Sequence, residues 1–158
     1  MNRCFCFPQV HTDNCTRIKE VSPVYILQDS NIPLARAKPI FSRRKIYDSQ
    51  KAEKMIMGIH LRNQHGDREP YNGILHLDLS FNFPFPREKN EERRLRKQIY
   101  HTNRPDLSNL QKMIEDVCVN AEIIKDDRFI ASATIIKRYS PQSQVVFQFT
   151  VLKDHDEI

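Results

Sequence analysis

The sequence predicts one α/β (α+β) domain, a mixed β-sheet with helices packed on it. Three observations carry that expectation. Gly73–Phe83 (GILHLDLSFNF) alternates apolar and polar residues, as a strand with one buried face does. Ser108–Ala121 places Leu110, Met113, Ile114, Val117 and Cys118 at helical spacing, a continuous apolar stripe. Phe129–Tyr139 and Gln144–Leu152 are β-rich runs separated by Ser140-Pro141-Gln142-Ser143, the pattern of a hairpin. Interleaved strands and helices imply a mixed sheet with covered faces. At 158 residues the chain suits a single domain, expected over residues 23–153. Residues 1–22 read as a disordered extension and 154–158 as an acidic tail.

In chain order, Val24–Gln28 is apolar and β-branched and forms the first strand. Asn31–Pro39 holds two prolines and is a loop. From Ser49 to Gln64 the pattern turns helical, with Asp48 or Ser49 as cap and Ala52, Met55, Ile56 and Ile59 on one face. Gly66–Asn72 is a turn, and the strand Gly73–Phe83 follows, half-buried, stopped by Pro84 and Pro86. Glu88–Tyr100 is a charged helix or helical loop, broken by His101–Pro105. The helix at Ser108–Ala121, a connector and the two β-runs complete the domain.

Composition narrows the functions. Three Gly, with no GxGxxG and no GxxxxGK[ST], argue against a glycine-rich nucleotide loop. No apolar run nears the roughly 20 residues of a membrane-spanning helix, and the N-terminus lacks the apolar core of a secretory signal. A cytoplasmic protein with reduced cysteines and no membrane partner is expected. Cys4, Cys6, Cys15 and His11 match no common structural-zinc spacing, and terminal disorder accounts for that segment better. The net charge of +5 points to an anionic partner.

The chemistry concentrates in Asn103–Tyr139. Asp106 stands just before the helix, and Asp126-Asp127 just before the next strand. A helix followed by an antiparallel return brings acids at its ends together. Carboxylates gathered on rigid elements are what a hard cation such as Mg²⁺ takes. Lys112, one turn beyond Ser108, offers positive charge to a phosphate. A plainer reading stands beside this one. Asp106 caps the helix, Ser108-Asn109-Leu110-Gln111 fits a capping box, and Asp126-Asp127 is a polar turn.

The order Arg104-Pro105-Asp106, Asn109-Leu110, Lys112, Asp126-Asp127 and a strand ending Lys137-Arg138-Tyr139 resembles the RusA-type Holliday-junction resolvases. Upstream, Lys38–Arg43 with Ile46-Tyr47-Asp48 resembles the family's early basic Pro-Phe segment and Tyr-Asp pair. The likeness spans roughly residues 24–152. It implies a small homodimeric, Mg²⁺-dependent endonuclease, bacterial or phage-encoded, that introduces paired nicks across four-way DNA junctions in recombination and repair. It implies an acidic site of Asp106, position 108 and Asp127, with Lys112 as the helix lysine and Asp116 as a helix aspartate; Asp126, next to Asp127, or Asp116 is the neighbouring acid that could complete the metal site. Position 108 departs from the family: it is Ser where the pattern has Asp, which removes one charge and one strong oxygen ligand. Cleavage aided by a neighbouring acid, cleavage at higher metal concentration, and junction binding without cleavage all follow from that change. A non-enzymatic α/β interaction module, with the acids acting as caps, is the remaining alternative.

On this reading Lys38, Arg43, Arg44, Lys45, Arg93, Arg94 and Arg104 contact DNA phosphates. Phe41, Tyr47, Tyr100 or His101 stack on bases opened at the crossover, while Phe81, Phe83 and Phe85 belong to core or dimer interface. Residues 36–104 carry 16 Lys/Arg and 8 Asp/Glu, whereas residues 106–127 carry six acids and two lysines. A basic segment thus lies beside an acidic one, as a phosphate-holding metal site requires.

Overall fold

The computed structural model describes residues 4–5, 16–17, 20–28, 40–42, 45–47, 51–85 and 100–154. Short strands β1 (Cys4–Phe5) and β2 (Thr16–Arg17) pair with each other, as do β5 (Ile40–Ser42) and β6 (Lys45–Tyr47). The main sheet is built from β3 (Glu20–Val21), β4 (Tyr25–Gln28), β7 (Gly73–Phe83), β8 (Ile130–Tyr139) and β9 (Gln144–Asp154). Two helices, α1 (Lys51–His65) and α2 (Leu107–Asn120), pack on it, and a 3₁₀ turn at Asp127–Phe129 leads into β8. No helix among the described residues is long and apolar enough to cross a membrane.

The β7 strand is central. It runs parallel to β8 on one side and antiparallel to β9 on the other, and β3 and β4 pair with the far edge of β9. The expected hairpin of β8 and β9 is therefore not formed, because β7 lies between them. The α2 crossover delivers β8 parallel to β7, as a connection through a helix allows. The Ser140–Ser143 turn then passes over the end of β7, where the Ser140 amide donates to the Phe83 carbonyl at 2.8 Å. The alternation expected of β7 holds, with its leucines and phenylalanines buried, Asp78 exposed and Ile74 and Ser80 half-buried, although His76 and Asn82 on the polar side are buried as well.

One core unites the layers. Leu75, Leu77, Leu79 and Phe81 of β7 share it with Phe147 and Phe149 of β9 and with Tyr25 and Leu27 of β4. From above, α2 contributes Leu110, Met113, Ile114, Val117 and Cys118, the stripe read from its periodicity. The free Cys118 thiol is fully buried, and burial pushes its pKa far up, so it is inert.

Helix α1 is turned the other way from the expected orientation. Its inward residues are Met57, Leu61 and His65, at i, i+4 and i+8, while Met55, Ile56 and Ile59 are exposed. The helix carries two apolar stripes, and the better populated one faces outward. His65 locks the inward stripe in place. Its Nδ1 lies 2.7 Å from the Tyr25 hydroxyl and its Nε2 lies 3.3 Å from the Glu69 carbonyl. A carbonyl only accepts, so Nε2 carries the proton and Nδ1 accepts from Tyr25. Gly66, at φ 67°, ends the helix by donating to the Arg62 carbonyl at 2.9 Å, a left-handed position glycine adopts without strain.

Candidate active site

The site is assembled around α2 by the chain segments that enter and leave it. On the leaving side, Ala121 and Ile123 amides close the helix end on the Val117 and Cys118 carbonyls, and Glu122 turns the chain at φ 55°. That turn buries Ile123 and Ile124, and the Tyr71 amide bonds to the Ile123 carbonyl at 2.9 Å. The chain now runs back along α2. Asp126 caps the following 3₁₀ turn by accepting from the Arg128 amide at 3.0 Å. Asp127 is thereby set against the flank of α2, beside Lys112.

Lys112 is the hub. Its ammonium donates to Asp127 Oδ2, and it lies 3.2 Å from Asp116 Oδ1, one turn further along α2. The other oxygen of Asp116 accepts from Lys54 of α1 at 3.3 Å. Hydrogen bonding to Asp127 first, and to Asp116 second, raises the Lys112 pKa above its ordinary value. The same bond with Lys112 holds the Asp127 carboxyl below the usual range. At neutral pH both groups are ionised. Lys112 thus acts as a fixed charge and not as a proton acceptor. A cleft of about 970 Å³ adjoins Asp127 and Asp116, walled by Lys51, Lys54 and Arg62 of α1.

On the entering side, residues 100–106 are fastened to β8. The His101 amide donates to the Lys137 carbonyl at 2.9 Å, and Tyr100 bridges to Arg138. The Lys137 ammonium reaches across to the Asn103 and Pro105 carbonyls at 2.6 and 2.7 Å. These contacts hold the Arg104-Pro105-Asp106 turn, whose Arg104–Pro105 peptide is cis. His101 stacks on Phe83 with ring centroids 4.1 Å apart, and Tyr139 lies 4.7 Å from His101.

A match to the family model of the RusA endodeoxyribonucleases covers residues 32–148. The chain belongs to the RusA endodeoxyribonuclease family. No curated protein matches it. The matched region takes in both helices and all of β7 and β8, so the hub around Lys112 lies inside the family domain.

With the RusA family established, the candidate residues can be placed. Lys112, Asp127 and Asp126 come together on the α2 flank, and Asp116 joins them. Asp106 occupies the N-cap position of α2 but makes no cap hydrogen bond with its side chain. Ser108 is the second residue of the helix, and Gln111 bonds Glu115 at 2.7 Å, so the capping box is not formed. It fails because the helix starts at Leu107, one residue before the serine. No side-chain hydrogen bond or ion pair joins Asp106 or Ser108 to the Lys112–Asp127 pair among the described residues. Ser108 lies on the face of Lys112 and Asp116, four residues apart in turn.

Of the DNA-contacting candidates, Arg104 is exposed in the turn before α2. Lys38, Arg43, Arg44, Arg93 and Arg94 lie outside the described residues, and Lys45 contributes its backbone to β6. Among the stacking candidates, Tyr100 is 61% exposed, whereas His101 is already engaged with Phe83. Phe81 and Phe83 are core residues, as expected, and Phe85 stacks on Tyr139. Lys54 and Lys137 were given no role from the sequence. Each acts on a partner more than thirty residues away, at separations of 62 for Lys54 and 32–34 for Lys137.

The donor chemistry fits a hard divalent cation. The acids at the site are carboxylates, and the most central of them, Asp127, already has a cation, the Lys112 ammonium, seated on it. No group of three or more His, Cys, Asp or Glu close enough to hold an ion occurs among the described residues. An ion of the Mg²⁺ type needs no such cage, since it keeps several waters and takes one or two carboxylates together with substrate phosphate.

Proposed function

We propose that this chain is a divalent-cation-dependent endonuclease, with Mg²⁺ as the cation, that nicks four-way (Holliday) DNA junctions in recombination and repair of bacterial or phage DNA. Family membership supports the endonuclease reading. The observation that carries it to this site is the Lys112 ammonium seated on Asp127, at the edge of an open cleft. A carboxylate and an ammonium held together on a helix flank, each partly exposed, are suited to a phosphodiester.

In this reading Asp127, with Asp126 beside it, would hold the cation together with a substrate phosphate, and Asp106, which is not grouped with them, would act from the start of α2. When bound, the cation supplies Lewis-acid polarisation of the phosphate and a nucleophilic water at neutral pH. Asp127 is ionised, because its bond with Lys112 lowers its pKa. Lys112, 58% exposed at its side chain and bonded to Asp127 of the cleft wall, would stabilise negative charge on a phosphate held beside Asp127. Arg104 orients the DNA backbone beside Asp106, and Lys137 holds their turn in register. The basic residues Lys38, Arg43, Arg44, Lys45, Arg93 and Arg94 provide salt-sensitive affinity for phosphates. A homodimer with a two-fold axis matches the symmetry of a four-way junction, so two sites nick opposing strands.

A second reading is favoured by Ser108 together with the lack of a three-acid group among the described residues. It makes the chain a junction binder that cuts poorly. One experiment separates the two. A labelled four-way junction is incubated with the protein in Mg²⁺ or in EDTA, alongside Asp127→Asn and Ser108→Asp. Cleavage in Mg²⁺ that Asp127→Asn abolishes supports the endonuclease. Tight binding without cleavage, restored by Ser108→Asp, supports the second reading. Equal binding to junction and linear duplex contradicts both.

A further inference from the structure

A divalent cation that takes Asp127 competes with Lys112, whose ammonium occupies Oδ2 of that carboxylate. Two positive centres on one carboxylate repel, which favours moving the ammonium away when the ion arrives. The structure contains an alternative position for the displaced ammonium. Asp116 Oδ1 already lies 3.2 Å from Lys112 Nζ, along the same helix face. Asp116 is itself held from behind, because its Oδ2 accepts from Lys54 of α1 at 3.3 Å. The four groups form an alternating series, Lys54–Asp116–Lys112–Asp127. Its inner end is the more sheltered: the side chain of Lys54 is 20% exposed and that of Lys112 58%.

We infer that Lys54 and Asp116 are a positioning pair that sets where Lys112 sits: on Asp127 in the cation-free protein, as a competitor of the incoming ion, and on Asp116 in the loaded one, facing the phosphate. The inference rests on Asp127 being a metal-holding carboxylate. Lys54 shares the charge of Asp116 and so weakens its pull on Lys112. This leaves Lys112 poised between two carboxylates, one of which is shared with Lys54. Asp116 alone would hold Lys112 permanently, and without Asp116 the displaced ammonium would swing into solvent.

The test measures Mn²⁺ binding to the full chain without DNA, from the electron paramagnetic resonance signal of the free ion. Lys112→Met removes the competitor and tightens Mn²⁺ binding about tenfold, within the range of coupling between contacting residues. Asp116→Asn leaves Lys112 with Asp127 alone and weakens binding several-fold. Lys54→Met strengthens the hold of Asp116 on Lys112 and tightens binding several-fold, while Lys54→Arg restores wild-type affinity. A general field effect gives the same signs for these single changes. The double mutants decide: in the Lys112→Met background, Asp116→Asn and Lys54→Met leave Mn²⁺ affinity unchanged within about twofold. Effects of equal size in both backgrounds overturn the inference. If Asp116→Asn fails to fold, the Lys54→Met cycle carries the same decision. Asp127→Asn separates the two levels of failure. If it leaves Mn²⁺ binding intact, Asp127 is not a metal carboxylate and the proposed site falls with the inference; if it abolishes binding while the cycle is additive, the inference alone falls.

Discussion

Replacing Lys112 by Met removes the ammonium and keeps the length of the stem, so it separates charge from packing. The Lys112 side chain is 58% exposed, and its partners Asp127 and Asp116 are 35% and 33% exposed. Ion pairs at such positions contribute about 0–1 kcal/mol each after solvent screening and side-chain entropy. For a domain of this size, that is a shift in Tm of roughly 2–4 °C per kcal/mol. The same charge aimed at a phosphate in its transition state is worth far more, about 10²–10³ in rate for a single electrostatic donor. Thermal denaturation and single-turnover cleavage of a four-way junction, at saturating Mg²⁺, read the two effects separately. The expected result is a Tm within about 8 °C of wild type, since two such pairs are lost, and a cleavage rate down by about a hundredfold. A cleavage rate within about threefold of wild type, on a scale where a lost donor costs 10²–10³, would refute the role given to Lys112.

Three further outcomes follow from the geometry. Ile114→Ala, at a fully buried position of α2, should cost about 2–5 kcal/mol in urea denaturation, and a cost under about 1 kcal/mol would contradict the packing of α2 on the sheet. His65 and His101 have pKa values lowered from 6.5, by burial first in both cases, with Arg62 near His65 and Lys137 near His101. Below pH 6.5 the unfolded chain therefore binds protons that the folded chain refuses. Stability is complete above that pH and declines as pH falls through it towards the folded values, so the urea midpoint should drop between about pH 7 and pH 5.5 and a level profile would count against both buried imidazoles. Lys137→Met frees the turn before α2, and junction cleavage should fall by about tenfold or more, since small misplacements near reacting groups cost that much. Unchanged cleavage would mean that the turn needs no tether.

Strands and helices with a single strong periodicity were legible in the sequence. The α2 stripe is present residue for residue, and β4, β7, β8 and β9 lie where alternation or β-branching put them. Pairing was less legible. Adjacent β-runs with a short polar turn read as a hairpin, and only the sheet order reveals β7 inserted between them. The orientation of α1 was hidden by its second apolar stripe, since Met55, Ile56 and Ile59 outnumber the inward Met57 and Leu61. At the site, Asp127 was named from the sequence as one of the acids that a helix and its return bring together from the helix ends, and Lys112 as a positive charge one turn beyond Ser108. Lys54 was not, and Lys137 entered only as part of the motif Lys137-Arg138-Tyr139 with no role given, because nothing local marks a lysine whose partner lies on another element. The capping box shows the opposite failure: its four-residue pattern is present, but the helix begins at Leu107 and the pattern falls out of phase.

The most direct test of the account maps the cleavage products on all four strands of a synthetic junction, beside a linear duplex of the same arm sequence, in Mg²⁺. Two nicks are expected, placed symmetrically on opposing strands close to the crossover, absent from the duplex and abolished by Asp127→Asn. Nicks scattered along the arms, or equal cutting of the duplex, or cleavage that persists in Asp127→Asn, would contradict it.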